Sequence, residues 1–360
     1  MRTAIASPAF PRRFLLMTAL LVLGGCATGG RMQRVDALMQ RYDGRVPGAS
    51  LLVVRAGAPV VRRSYGMANL EDGIAATPAT NYRLASVTKQ FTAASILLLA
   101  EDGRLKLDDR LRMWLPSLPA ATDAITIRHL LTHTSGLIDY EDVMAPDATE
   151  QVLDADVLHL LETQDRLYFA PGTSWRYSNS GYALLSLIVE RASGQRFPDF
   201  LRTRIFQPLG MDHTLAYVRG GPDIANRAFG YSEIDGRWTR TDQSSTSAVL
   251  GDGGIYSSID DLAKWDAALY DDRLLSDESR RLAFAADTAS DDPDVRYGFG
   301  WRITGETLWH SGETMGFRNV IVRFPQRRLS VVLLSNRNDP EPYATANAIA
   351  ALFLDDAAAR

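Results

Sequence analysis

Ser86-Val87-Thr88-Lys89, followed by the apolar run Gln90 to Ala100, is the stretch whose reading decides the fold. Only three of the chain's 39 Lys and Arg residues are lysine, and Lys89 is one of them. A guanidinium keeps its proton in a protein, whereas an ammonium can be desolvated or crowded until it becomes a base. Gln90 to Ala100 is rich in good helix formers, which puts Ser86 at a helix N-terminus with Lys89 one turn on, on the same face. That spacing makes Ser86 a candidate nucleophile and Lys89 the base that takes its proton.

Two further motifs supply what such a site still lacks. Tyr177-Ser178-Asn179 is the only Tyr-x-Asn in the chain and follows the turn signal Pro171-Gly172. A phenol beside an ammonium ionises more easily, so Tyr177 can relay a proton between Ser86 and a leaving group. Asn179 offers an amide for Lys89 or for a substrate carbonyl. His310-Ser311-Gly312 ends a strand-like run, Thr307 to Trp309. A glycine at a strand edge lets a substrate backbone pair closely.

In this order the three motifs resemble the boxes Ser-x-x-Lys, Tyr-x-Asn and Lys/His-x-Gly of the serine β-lactamase and penicillin-binding protein superfamily. The class C β-lactamase-like branch, with its DD-peptidases, D-aminopeptidases and esterases, is the nearest in pattern. Thr126 to Leu137, Gly251-Asp252-Gly253-Gly254, Asp260-Asp261-Leu262 and Gly316-Phe317 extend the similarity, which spans roughly residues 35 to 355. The resemblance implies acyl-enzyme chemistry on Ser86 with no cofactor or metal. It also implies an oxyanion hole from the backbone N–H groups of Ser86 and Glu313. The class A general base, a Glu on a separate loop, has no match, so deacylation falls to Tyr177 and Lys89.

One departure bears on substrate. Typical β-lactamases begin the third box with Lys, where this chain has His310. An imidazole of ordinary pKa, about 6.5, is mostly neutral at pH 7. The site is therefore expected to favour esters or amides without a carboxylate, unless Arg318 restores the charge. Were His310 to act as an imidazolium, activity on carboxylate substrates would rise as pH falls.

The N-terminus reads as processing signal. Arg12-Arg13 precedes the apolar run Phe14 to Leu23, too short to span a bilayer but suited to a signal-peptide core. Leu23-Gly24-Gly25-Cys26 looks like a lipobox, and Cys26 is the only cysteine, so no internal disulfide is available. The expected layout is a lipoprotein signal at 1–25, a tether at 26–34 and a hydrolase domain at 35–355. Diacylation at Cys26 would anchor the protein at the envelope, on the periplasmic face. The expected partners are a small-molecule or peptide substrate, cell-wall-derived material included, and the membrane through that anchor.

Strands are expected at both chain ends: a hairpin from Ser50–Arg55 and Val60–Tyr65, then Gly298–Ile303, Thr307–Trp309, Arg318–Phe324 and Leu329–Leu334. Helices are expected between them, over Leu84–Asp102, Ile125–Leu131, 151–163, 180–193 and 197–206. Terminal helices over Arg34–Tyr42 and Tyr343–Leu354 complete the pattern. This is an α/β (α+β) arrangement: an antiparallel sheet flanked by terminal helices, with an inserted all-helical subdomain. The resemblance implies the same β-lactamase/transpeptidase-like fold, with the site at the junction.

Composition excludes other classes. At 46% hydrophobic content and net charge −4, with no basic stripe, nucleic-acid binding has no support. His129 and His133 have the spacing of a zinc helix, but Leu130 stands where a metalloprotease needs Glu, so a structural role is expected. No Gly-x-Ser-x-Gly occurs, which argues against an α/β-hydrolase. A penicillin-binding or sensor-like module of the same fold, with little turnover, is the competing reading.

Overall fold

The computed structural model describes residues 30–354. The signal segment, the lipobox and Cys26 lie outside the described residues. The described residues divide into two units, one ending at Arg41 and the other beginning at Tyr42. A helix covers residues 30–39 of the first, and a 3₁₀ turn, Gln40–Tyr42, runs from it into the start of the second. No described helix is long and apolar enough to cross a membrane.

The second unit is organised by an eight-stranded antiparallel sheet. Its strands are β1 (Ala49–Arg55), β2 (Ala58–Tyr65), β3 (Thr288–Ala289), β4 (Arg296–Tyr297), β5 (Arg302–Thr304), β6 (Thr307–Thr314), β7 (Phe317–Phe324) and β8 (Leu329–Ser335). They lie in the order β3-β4-β5-β6-β7-β8-β1-β2, so the N-terminal hairpin closes onto the last strand. Every residue of β8 and six of seven in β1 are buried. Their unbroken apolar runs reflect a position in mid-sheet with both faces covered, while the edge strand β2 is mostly exposed and carries Arg62 and Arg63.

The labelled helices are α1 (Lys89–Glu101), α2 (Ile127–Leu131), α3 (Asp154–Glu162), α4 (Asn179–Ser193), α5 (Ile259–Ala268) and α6 (Tyr343–Leu354). α4 starts on Ser178, whose hydroxyl accepts from the Gly181 N–H, and stops at Gly194 in a left-handed conformation. It packs against α1, α2 and α3, with Leu184, Leu185, Ile188 and Val189 fully buried among them. Each such side chain contributes about 1.5–3 kcal/mol of burial. α5 is bolted to the sheet by a buried ion pair, Asp266 with Arg323 at 2.6 Å, to which Ser330 Oγ also donates.

Because side chains alternate across a strand, Trp309 and Arg323 leave opposite faces of the β6–β7 pair. Trp309 stacks on Tyr343 of α6, and Arg323 meets α5. The two helices therefore cover opposite faces, and His310, which pairs with Ile321, lies on the α5 side.

Three expectations change. The strand expected over Gly298–Ile303 is two short strands, because Gly300 turns at φ +76° and sits against the Lys89 carbonyl, where a Cβ would lie 2.7 Å from oxygen. The third box does not end its strand, since β6 continues to Thr314. The helix expected over 197–206 is Phe197–Leu201 followed by a π-helical turn, Arg202–Phe206.

Candidate active site

Ser86 sits in a 3₁₀ turn, Ala85–Thr88, that runs directly into α1. In such a turn residues i and i+3 eclipse, so Lys89 comes over Ser86. The preceding residue, Ala85, is buried with φ +50°, a left-handed conformation that costs a non-glycine residue of order 1–3 kcal/mol and recurs at functional sites.

Lys89 is fully buried, and its ammonium has three partners. It donates to Ser86 Oγ at 3.1 Å, to Asn179 Oδ1 at 2.8 Å and to the Asp252 carbonyl at 3.0 Å. Three donors meet three acceptors, the condition for holding a buried cation. Asn179 is oriented from behind: its Nδ2 donates to Glu141 Oε1 at 3.1 Å and its N–H to Asp139 Oδ2 at 2.8 Å. The Gly251–Gly254 turn, to which the sequence reading gave no role, forms the third wall through Asp252. Burial pushes the Asp252 carboxyl up to about 7, opposed by the Lys89 charge, and the Tyr140 hydroxyl donates to it at 3.3 Å.

Tyr177 lies over the same lysine, with Nζ 4.8 Å from its ring centroid. Its hydroxyl is buried and makes no hydrogen bond among the described residues. The ring packs 4.4 Å from that of His133, which has φ +60° and whose Nδ1 accepts from the Ser178 N–H at 3.1 Å. Burial, reinforced by Lys89, holds His133 well below the usual imidazole range. His129 instead completes a capping box with Thr126 at the start of α2. Both histidines thus have structural partners.

His310 is buried and neutral. Burial and the nearby Arg302 charge push it down to about 3. Its Nδ1 lies 2.6 Å from the Ser311 carbonyl, an acceptor, so that nitrogen carries the proton and Nε2 accepts from the Tyr297 hydroxyl at 3.0 Å. Burial thus disfavours the imidazolium on which a rise in carboxylate-substrate activity at lower pH would depend. Arg318 does not replace it: it pairs with Glu313 at 2.6 Å and donates to the Thr314 and Phe317 carbonyls.

The cation facing this site is Arg302. Its guanidinium lies 5.7 Å from the Tyr177 ring, 5.9 Å from Trp175 and 5.5 Å from Trp309, and no ion pair among the described residues involves it. Arg302 is the cross-strand partner of Trp309 in the β5–β6 hairpin, and its charge is felt at His310. The Gly305-Glu306 turn between two short apolar runs was the available signal, because it fixes that register.

Gly312 also has a packing role. A Cβ there would lie 2.0 Å from the Leu84 carbonyl, so its missing side chain lets β6 press onto the Ser86 turn. On its other side β5 pairs only with Thr307 to Trp309, so from His310 to Glu313 the edge of β6 that faces away from β7 has no strand partner among the described residues. An open strand edge thus runs beside Ser86. The fold brings together Ser86, Lys89, Tyr177, Asn179 and the third box.

The antiparallel sheet, with a serine–lysine pair where the helical layer begins, agrees with the serine β-lactamase and penicillin-binding protein superfamily. The chain belongs to it: the model of the family described as "Beta-lactamase" matches residues 33–355. The chain is similar to penicillin-binding protein 4* of Bacillus subtilis (strain 168), at 33% identity over 82% of this chain and 70% of that one. It is also similar to a D-aminopeptidase of Gluconobacter oxydans (strain 621H), at 32% identity over 88% of this chain and 60% of that one. The match thus spans less than two thirds of the D-aminopeptidase. Among solved structures, the octameric penicillin-binding protein homologue from Pyrococcus abyssi superposes with a TM-score of 0.80 at 26% identity, covering 91% of this chain and 77% of that one.

Proposed function

We propose that the protein is a serine hydrolase of the cell envelope that cleaves amide or ester bonds, D-amino-acid peptides among them, through an acyl-enzyme on Ser86. The observation that carries this reading is the set of partners around Lys89. A neutral lysine has one lone pair, and both the Asn179 Oδ1 and the Asp252 carbonyl can only accept. Of the three hydrogen-bond partners, Ser86 Oγ–H is the one able to donate to that lone pair, so the base, once formed, faces the nucleophile.

As Ser86 Oγ bonds to the substrate carbonyl carbon, its proton passes to Lys89. The negative oxygen is held by the N–H groups of Ser86 and Glu313, each worth about 10²–10³ in rate. Collapse of the tetrahedral intermediate breaks the bond to the leaving group, to which the Tyr177 hydroxyl delivers a proton drawn from Lys89. Water then attacks the acyl-enzyme by the reverse relay. The unpaired hydroxyl of Tyr177 supports this role, since a buried donor without a partner costs about 1–3 kcal/mol until a leaving group or water takes it.

Arg302 widens the substrate range expected from the third box. It supplies a cation beside His310, so substrates bearing a carboxylate on the leaving-group side join simple esters. The relatives named as a penicillin-binding protein and a D-aminopeptidase support the same range. The lipobox ending at Cys26 supports an envelope location, tested by mass spectrometry of the mature N-terminus for acylated Cys26.

Labelling with a fluorophosphonate and with a fluorescent penicillin tests the chemistry. The wild type should be marked and Ser86→Ala should not. A label that persists in Ser86→Ala rejects the nucleophile. One equivalent of product without turnover, on every substrate tried, replaces the hydrolase with a penicillin-binding or sensor module.

A further inference from the structure

Glu141 is a carboxylate of the site with no assigned task. It lies in the 3₁₀ turn Tyr140–Asp142, and its backbone N–H donates to Asp139 Oδ1 at 3.2 Å. Asp139 also accepts from the Asn179 N–H, which ties this turn to the first residue of α4. Glu141 is thereby held three hydrogen bonds from the nucleophile, through Asn179 and Lys89.

Its charge is not met by a side-chain cation of its own. Lys89 spends its three donors on Ser86, Asn179 and Asp252. The nearby Arg176 pairs with Asp142 at 2.9 Å. Asn179 takes one acceptor position of the Glu141 carboxylate, which has about four. Glu141 is exposed, so its remaining acceptor positions are open to a ligand, and desolvation and the adjacent Asp139 charge raise its pKa against the Asn179 and Tyr140 hydrogen bonds and the Lys89 charge.

Position tells which part of a substrate would bring that cation. Ser178 is extended, so Tyr177 and Asn179 project to the same side of their segment. Tyr177 carries the Arg302 guanidinium and Asn179 carries Glu141. The two opposite charges are thus spaced along one short row beside Ser86. If the Arg302 end receives the leaving group, the Glu141 end receives the acyl group.

We infer that Glu141 is a specificity residue that binds the free amino-terminal ammonium of the acyl portion, selecting peptides and amides whose N-terminus is unblocked. This inference rests on the acyl-enzyme reading above. An amino-terminal α-ammonium has a pKa near 7.7–8.0 and is mostly charged at pH 7. It is two bonds from the carbonyl carbon, about 2.5 Å, and can extend a further 2.8 Å or so to a carboxylate oxygen.

The test compares kcat/KM at pH 7 for D-alanine p-nitroanilide and N-acetyl-D-alanine p-nitroanilide. The wild type should favour the free amine at least tenfold, mainly through KM. Glu141→Gln keeps an acceptor for Asn179 but loses the charge, and should bring the ratio towards one. The ratio divides out any general loss of activity, which a merely structural role would produce. If neither anilide turns over, the same comparison is made by thermal shift with 1-aminoethylboronic and 1-acetamidoethylboronic acids, which add to the serine. A wild-type ratio near one, or a ratio that survives in Glu141→Gln, overturns the inference while p-nitrophenyl acetate turnover keeps the hydrolase standing. Ester turnover that survives in Ser86→Ala removes the underlying reading and the inference with it.

Discussion

The two sides of Lys89 are built differently. Towards Asn179 and Asp252 the lysine makes two hydrogen bonds to fixed acceptors, 2.8 and 3.0 Å long. Towards Tyr177 lies a cluster of rings in which Tyr177 Oη, His133 Nε2 and Trp175 Nε1 are all buried without a partner among the described residues. The first side fixes where the base points before any substrate arrives. The second holds unpaired donors against aromatic faces, a costly arrangement that a substrate heteroatom or water can relieve. Stability and function are therefore expected to separate across this lysine: losses on the paired side should affect both, and losses on the unpaired side activity alone.

Tyr177→Phe is the sharpest way to break that contrast. Acylation should slow by about 10²–10⁴-fold, since proton transfer is lost. The midpoint of urea unfolding should stay the same or rise, because the removed hydroxyl has no partner. A destabilised but active Tyr177→Phe would reverse the assignment of the two sides. Asn179→Ala is the counterpart. It strips one acceptor from a buried ammonium, a charged hydrogen bond worth about 1.5–3 kcal/mol, and should lower both the denaturation midpoint and the acylation rate.

Arg302→Ala should weaken carboxylate-bearing substrates about ten- to a hundredfold in kcat/KM relative to p-nitrophenyl acetate, from the same range of energy. Equal loss on both substrates would mean that Arg302 supports the rings rather than the ligand.

The smallest effect concerns pH. His310 in the folded state titrates at about 3, against about 6.5 unfolded. A depressed folded pKa contributes stability that is present above 6.5 and is lost as pH falls towards 3. His133, also depressed, acts in the same direction. Asp252 and Asp154, raised to about 7 and about 6, act oppositely: their contribution is present below about 4 and is lost as pH rises through those values. In His310→Gln the fall in stability between pH 6.5 and 4 should be shallower than in the wild type, as read by urea unfolding at each pH. An unchanged slope would contradict a buried neutral His310.

Much of this was legible in the sequence because local chemistry agreed with the fold. The Ser86–Lys89 spacing, the Tyr177–Asn179 box and the hairpin of β1 and β2 each depend on neighbours a few residues away. What escaped depends on pairings between distant segments. Arg302 faces the site only because β5 and β6 pair in one register, and Gly300 breaks a strand because Lys89 lies behind it. His310 reads as a titrating group in isolation, and burial against Tyr297 makes it neutral. Glu141 has no motif of its own, and its place is set by Asp139 and Asn179.

The account stands or falls on Lys89 acting as a base rather than as a fixed charge. The most direct measurement is the single-turnover rate of Ser86 acylation in Lys89→Arg, with the fold checked by circular dichroism. An arginine keeps the positive charge and the donors but cannot give up a proton. The rate should fall by about 10²–10⁴-fold in a folded protein. A folded Lys89→Arg that acylates within a few-fold of the wild type would contradict the proposed chemistry.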